Sequence, residues 1–159
     1  MNQNTFAIRN ATIGDETPVQ ELIFSVLREY GLKPDPEGTD ADLKDLQSSY
    51  TNHQGVFRIV ADSGGRIFGC GGLLPLGNGD VELRKMYMLP EVRGQGIGKQ
   101  LLEDLIGISR TQGHKRIVLD TASVLKEAIG LYRKRGFQPY DNPHRVWRCD
   151  HSFFLHIDG

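Results

Sequence analysis

Apolar positions along the chain change period several times, and each change marks an element. Phe6 to Thr12 (FAIRNAT) alternates with the two-residue period of a half-buried strand. Val19, Leu22, Ile23, Val26, Leu27 and Tyr30 then recur at three- and four-residue steps, the stripe of an amphipathic helix. Asp15 is placed to cap its start, Pro18 is tolerated in the first turn, and Gly31 closes it. Two prolines in KPDPEG (Lys33 to Gly38) deny the backbone regular helical bonding. A second, shorter helix is therefore expected from Asp40, with Leu43, Leu46 and Tyr50 turned inward.

Three strand-like runs follow: VFRIVAD (Val56 to Asp62), RIFGCGGLLPL (Arg66 to Leu76) and VELRKMYML (Val81 to Leu89). SGG and GNGD between them are hairpin-loop sequences, so the runs predict an antiparallel meander. Gly71, Gly72 and Pro75 predict a bend or bulge near the end of the middle strand. Ile97, Leu101, Leu102, Leu105, Ile106 and Ser109 trace a helix that stops at Gly113. RIVLDT (Arg116 to Thr121) reads as a buried strand. Ser123 is placed to cap LKEAIGLYRKR, which Gly136 ends. FQPY and RCDHSFFLHI (Arg148 to Ile157) supply the last strands. The strand–helix–strand order over residues 81 to 121 requires a right-handed parallel crossover joined to the meander. With no repeat, linker or low-complexity tract, residues 1 to 159 read as one mixed α/β domain whose helices cover a sheet.

Composition narrows the classes. A chain of 159 residues with 38% hydrophobic and 25% charged residues suits one well-packed core. A net charge of -1 gives no general attraction to nucleic acid or an anionic membrane, and neither is expected as a partner. Met1 to Asn10 lacks the charged start and apolar run of a leader peptide, and no apolar stretch approaches the roughly 18 residues of a membrane span. Cys70 and Cys149 form neither a CxxC pair nor a metal-ligand spacing, and the five histidines are scattered. Two free thiols, a cytoplasmic setting and no metal are the expectation.

The chemistry concentrates in RGQGIGK, Arg93 to Lys99, between the third meander strand and a helix. Amide groups of a first helical turn lack intrahelical partners and point outward, and the helix dipole favours an anion there. Glycine removes the β-carbons that would hold a diphosphate away. A Walker A loop would need Gly at position 93 and Ser or Thr after the lysine, where Arg93 and Gln100 stand. A dinucleotide fingerprint needs GxGxxG, whereas Gly94, Gly96 and Gly98 make GxGxG.

Residues Val81 to Leu102 instead resemble the acyl-CoA motif of the GNAT superfamily of N-acetyltransferases, Q/R-x-x-G-x-G/A, with Arg93, Gly96 and Gly98 at its fixed positions. AIGLYRKRGF, Ala128 to Phe137, resembles that family's A-x-x-LY-x-x-x-GF signature, and the order of elements agrees. The resemblance implies a single GNAT-like domain, a mostly antiparallel central sheet with a splayed parallel strand pair and flanking helices. It implies acetyl-CoA as co-substrate, without a metal, with the pantetheine along Met86, Tyr87 and Met88. Arg93, Gly94, Gln95, Gly96, Ile97, Gly98 and Lys99 would surround the diphosphate, the Lys99 side chain reaching either a phosphate or solvent. It implies Tyr132 as the acid that protonates the leaving thiolate, or else as a ring that shapes the site. Glu82 is the carboxylate placed to help deprotonate the amine, or a surface residue paired with Arg84 or Arg66; Asp120 is its competitor. Relatives often carry an asparagine where this chain has Leu125, so contacts near Ser123 and Lys126 depart from the pattern.

The acceptor implied is an amine of a small molecule, peptide or protein, attacking directly in a ternary complex. A non-catalytic acyl-CoA-binding module and a transferase of longer acyl groups or to a hydroxyl are the alternatives. Tyr30, Pro34, Asp35, Pro36 and Glu37 are expected on the acceptor side, with His144 and Trp147 from PYDNPHRVW as either a lid or a surface turn. Asp35, Glu37, Asp40 and Asp42 would attract a cationic amine or form a solvated face. RCDHSFFLHI has the apolar content for a homodimer edge, or for core alone.

Overall fold

The meander arises where β-branched and aromatic residues alternate between glycine-rich turns. The computed structural model describes residues 5–157; the first four residues of the stretch read for a leader lie outside them. The strands are β1 (Phe6–Asn10), β2 (Val56–Asp62), β3 (Ile67–Pro75), β4 (Asp80–Met88), β5 (Arg116–Thr121), β6 (Gln138–Tyr140) and β7 (His151–His156). The helices are α1 (Glu16–Glu29), α2 (Leu46–Ser49), α3 (Ile97–Thr111) and α4 (Lys126–Arg135). One sheet runs in the order β1-β2-β3-β4-β5-β7-β6. Every pair is antiparallel except β4 and β5, which the α3 crossover joins in parallel.

Alternation along the strands feeds two cores. Val81, Leu83, Ile117 and Leu119 pack against Leu101, Leu105 and Ile106 of α3 and against Tyr132 of α4. Phe57, Ile59 and Cys70 pack on the other side against Ile23 and Leu27 of α1 and against Leu43, Leu46 and Tyr50. Gly72 makes this second contact possible: a β-carbon there would stand 2.7 Å from the Tyr50 ring and 2.9 Å from Phe57.

Several expectations change in detail. Asp15 occupies the position before α1 but does not cap it; its carboxylate turns back to the Thr12 N–H at 2.7 Å and to Arg9. The helix expected from Asp40 breaks into a 3₁₀ turn (Ala41–Lys44), the one-turn α2 and a second 3₁₀ turn (Thr51–His53). Asp45 causes the break: it adopts an extended backbone, and its side chain accepts from the Ser48 N–H. Leu43, Leu46 and Tyr50 are nonetheless all buried.

The bulge lies across from Gly71, on β4. Cys70 opposes Tyr87 while Gly72 opposes Arg84, so Lys85 and Met86 share the space of one residue. Lys85 takes a φ of 57° there. β3 has its own irregularity where it meets Val60 and Ala61 of β2. Ser123 does not cap α4; its N–H and hydroxyl both donate to Asp150, at 2.7 and 2.8 Å. Arg148 to Asp150 are not strand, and β7 is paired on both sides by β5 and β6, so it presents no free edge to a second copy. Phe153 is fully buried in the core.

Candidate active site

β4 and β5 are hydrogen-bonded only at Asp80↔Arg116, Val81↔Ile117 and Glu82↔Val118. Beyond Glu82 the parallel strands part, and the β4 backbone on that side has no ladder partner. The opening is a cleft of about 440 Å³, its open mouth included, lined by Lys85, Met86 and Tyr87 of β4, Asp120 of β5, and Leu125 and Tyr132. The bulge sits at its wall. Lys85 Nζ is held by the Thr39 carbonyl at 2.9 Å, Asp42 at 3.0 Å and Asp40 at 3.3 Å. A left-handed residue other than glycine costs about 1–2 kcal/mol, and this buried ion cluster offsets it.

Past the end of β4 at Met88, and before α3, lies the glycine loop. Gly94 and Gly96 have φ of 78° and 81°, values that favour glycine. Gly98 is different. It lies inside α3, and a β-carbon there would make only ordinary contacts, 3.5 Å to Leu131 and 3.9 Å to Met88. Neither backbone angle nor the protein's own packing demands glycine at this position, so its bareness leaves room for something outside the protein. No side chain caps α3, whose cap residue is Gly96 itself. The first-turn amides of Ile97, Gly98 and Lys99 therefore face outward as donors.

The loop side chains do less than the sequence suggests. Arg93 forks onto Glu29 at 2.6 and 2.9 Å and donates to the Met88 carbonyl at 2.9 and 3.1 Å. Its guanidinium fastens the loop to α1 and to the end of β4, and its main-chain N–H donates to the Pro90 carbonyl at 3.3 Å. Gln95 donates to the Glu91 carbonyl at 2.8 Å, and Ile97 is buried in the core. Lys99 is exposed, with no ion pair among the described residues.

Tyr132 stands where α4 meets the cleft, 4% exposed, its ring 5.5 Å from that of Phe137. Its hydroxyl makes no hydrogen bond among the described residues, where no fully buried side-chain N or O atom lacks a partner. The hydroxyl therefore opens to the cleft it lines. Burial pushes its pKa above the usual phenol range, so it holds its proton at neutral pH. Glu82 lies just before the strands part, with Arg84 Nε 3.1 Å from its Oε1. Burial raises the Glu82 carboxyl above the ordinary range, and the Asp120 charge adds to this, against the opposing pull of Arg84. Asp120 accepts from Ser152 Oγ at 2.6 Å and Asn142 Nδ2 at 3.1 Å.

On the acceptor side the acidic residues divide. Asp40 and Asp42 do not form a solvated face. Asp40 is buried, bound by Arg148 at 2.7 and 2.9 Å and by the Asp35 N–H, while Asp42 binds Lys85 and the Tyr50 hydroxyl. These ion pairs brace the bulge instead of presenting charge to a ligand. Asp35 accepts from the Thr39 N–H, Glu37 pairs with Lys44, and His144 and Trp147 are exposed. Tyr30 stacks under Arg93 and reaches Glu127 at 3.4 Å. The segment PYDNPHRVW is more than a surface turn: Asn142 reaches Asp120, and Arg148 and Cys149 just after it line the cleft. Lys85, Arg148 and, as a cleft residue, Cys149 escape sequence reasoning, whereas Arg84 stands where the sequence puts it, as an ion-pair partner of Glu82.

Among the described residues no helix is long and apolar enough to cross a membrane. No group of His, Cys, Asp and Glu there is placed to hold a metal ion.

A parallel pair that parts beside an uncapped glycine-led helix defines an acyl-CoA-dependent transferase fold, and comparison with known proteins agrees. Residues 21–137 match the Acetyltransferase (GNAT) family. The chain is 37% identical over 139 residues to the uncharacterized N-acetyltransferase YjgM of Escherichia coli K12, covering 84% of this chain and 83% of that one. A GNAT acetyltransferase from Staphylococcus aureus Mu50 superposes with a TM-score of 0.92 at 23% identity, covering 97% of this chain and all of that one. A phosphinothricin acetyltransferase of Sinorhizobium meliloti, solved with AcCoA, superposes at 0.76 and 22% identity, covering 96% and 88%. The chain belongs to the GNAT family and is an acyltransferase.

Proposed function

We propose that this protein moves the acetyl group of acetyl-CoA to a primary amine of a small molecule or peptide, by direct attack with both substrates bound. One observation carries the reading: Gly98, which nothing in the protein requires, stands among uncapped amides beside Met88 and Leu131, while Met86 and Tyr87 of the same strand as Met88 line a cleft that also holds the unpaired Tyr132 hydroxyl. Bound acetyl-CoA supplies an activated thioester. The amides from Gly96 to Lys99 hold its pyrophosphate, and β4 at Met86, Tyr87 and Met88, which has no strand partner on the β5 side, holds the pantetheine, although Arg93 already occupies the Met88 carbonyl. Leu125 gives an apolar wall in place of a polar contact, since Ser123 is engaged by Asp150.

An alkylammonium of pKa about 10 must lose a proton before it attacks. Glu82, whose burial raises its affinity for protons, takes it. As the C–N bond forms and the C–S bond breaks, Tyr132 gives its proton to sulfur. The second proton leaving nitrogen restores Tyr132. Burial pushes the Cys149 thiol in the cleft up to about 11, so it stays protonated and is ill suited to carry the acetyl group itself. That supports direct attack.

Thiol release from acetyl-CoA, followed across a panel of amines with wild type and Tyr132→Phe, tests the reading. Transfer by wild type that falls steeply in the variant supports it. Equal coenzyme A binding without transfer by either protein would make this a binding module, and preference for longer acyl donors would replace the donor.

A further inference from the structure

The acceptor can be narrowed by asking which charges near the parting strands lack a partner, an argument that rests on the acetyl-transfer reading above. Three cations around the acceptor side are matched. Arg116 forks onto Asp80 at 2.8 and 3.1 Å, Lys85 sits between Asp40 and Asp42, and Arg148 forks onto Asp40. Arg84 is matched on one side only. Its Nε lies 3.1 Å from Glu82, and its two terminal nitrogens have no hydrogen-bond partner among the described residues, though the side chain is only 30% exposed.

Asp120 is its mirror image. It accepts only from the neutral donors Asn142 and Ser152, and no cation pairs with it among the described residues. Register places these groups together. Glu82 is paired directly with Val118, and side chains two residues apart share a face, so Glu82 and Arg84 of β4 stand on the same face as Asp120 of β5. One open guanidinium fork and one carboxylate without a cation thus flank Glu82.

We infer that the acceptor is an amine bearing a carboxylate, of the α-amino acid class, and that the terminal N–H groups of Arg84 bind that carboxylate. A guanidinium presents parallel donors that match the two oxygens of a carboxylate. Its ammonium group, one carbon away, then lies towards Asp120 and Glu82, where the proton is taken. A polyamine or a plain alkylamine leaves the terminal N–H groups of Arg84 unpaired beside the incoming cation. Arg84 is in this role a specificity-determining residue.

The test pairs α-amino acids with their decarboxylated amines and their α-carboxamides, using acetyl-CoA and thiol release. Wild type should favour the amino acids roughly ten- to hundredfold in kcat/KM, the size expected of a charge-assisted bidentate contact. Arg84→Gln should erase that preference, chiefly through KM, and Arg84→Lys should keep part of it. A merely structural loss would instead depress every acceptor alike. Calorimetric binding of coenzyme A, unchanged in both variants, shows that the fold and loop survive. The inference is overturned if wild type prefers the decarboxylated amines, or if Arg84→Gln keeps the preference. It is equally overturned if a protein that binds coenzyme A acetylates no amino acid. Failure of wild type to bind coenzyme A would overturn the acetyl-transfer reading itself.

Discussion

Arg93 and Glu29 form a forked ion pair at 2.6 and 2.9 Å, which ties the end of α1 to the start of the glycine loop. The same guanidinium reaches the Met88 carbonyl, so the charged residue at the head of the motif braces backbone instead of meeting phosphate. Arg93→Gln keeps an N–H donor for Met88 and should change the coenzyme A Kd by less than about threefold. Arg93→Ala loses that tether, worth ~0.5–1.5 kcal/mol, and should weaken binding by up to about tenfold. Calorimetric titration of coenzyme A separates the two.

Gly98→Ala should separate folding from binding. An α-helix gains up to about 1 kcal/mol when an interior glycine becomes alanine, and the new methyl meets nothing closer than 3.5 Å. Urea unfolding should therefore show equal or greater stability. The coenzyme A Kd should rise tenfold or more, because the methyl occupies the approach to the amides. Tight binding by a stable Gly98→Ala protein would remove the loop's role.

Tyr132→Phe removes a hydroxyl that no protein group uses, so its cost should fall on turnover. Loss of a positioned acid is worth about 10²–10⁴-fold. A fall in kcat of at least a hundredfold is expected, with coenzyme A binding within threefold of wild type. Thiol release and calorimetry on one preparation give both numbers.

Glu82 works as a base only when deprotonated, so kcat/KM should rise with pH through its pKa. Burial places that pKa above the ordinary glutamate value of about 4.3, with Arg84 pulling against it. The acid limb of the pH profile should therefore lie above the ordinary carboxylate range. It should move higher in Arg84→Gln, which removes the opposing charge, and vanish in Glu82→Gln.

Arg148 and Asp40 make a buried pair whose loss should destabilise the protein strongly. Burial alone would raise the Asp40 carboxyl, but the Arg148 hydrogen bonds, the Asp35 N–H and the Lys85 charge together hold it below its ordinary value. Its contribution is thus fully present above the unfolded aspartate pKa of about 3.9 and is lost as pH falls through the lower folded value. Arg148→Met should cost up to about 3–5 kcal/mol at neutral pH, because it leaves the buried Asp40 carboxylate with Lys85 as its one remaining counter-charge. The deficit should shrink in acid, where protonation of Asp40 relieves it. Urea unfolding across pH measures both.

Much of this molecule is written locally. β2 and β5 run from Val56 to Asp62 and from Arg116 to Thr121, the bounds that their apolar runs predict between turn residues. The parallel crossover, the glycine loop and the place of Tyr132 on α4 were legible for the same reason: period, turn chemistry and motif spacing act within a few residues. Asp15 and Ser123 show the limit. Both stand where a cap belongs, yet their side chains are taken by other partners: Asp15 by Arg9 and the Thr12 N–H, Ser123 by Asp150.

What the chain alone determined is therefore the order of elements, the family, and a glycine loop with bare amides before α3. Tertiary structure decided which charges remain available. Lys85 meets Asp40 and Asp42 across more than 40 positions, and Arg148 meets Asp40 across 108. Such pairs are set by where distant backbone segments converge, and no local pattern encodes them. That sorting removed Asp40 and Asp42 from the acceptor's reach and left Arg84 with an open fork beside Glu82.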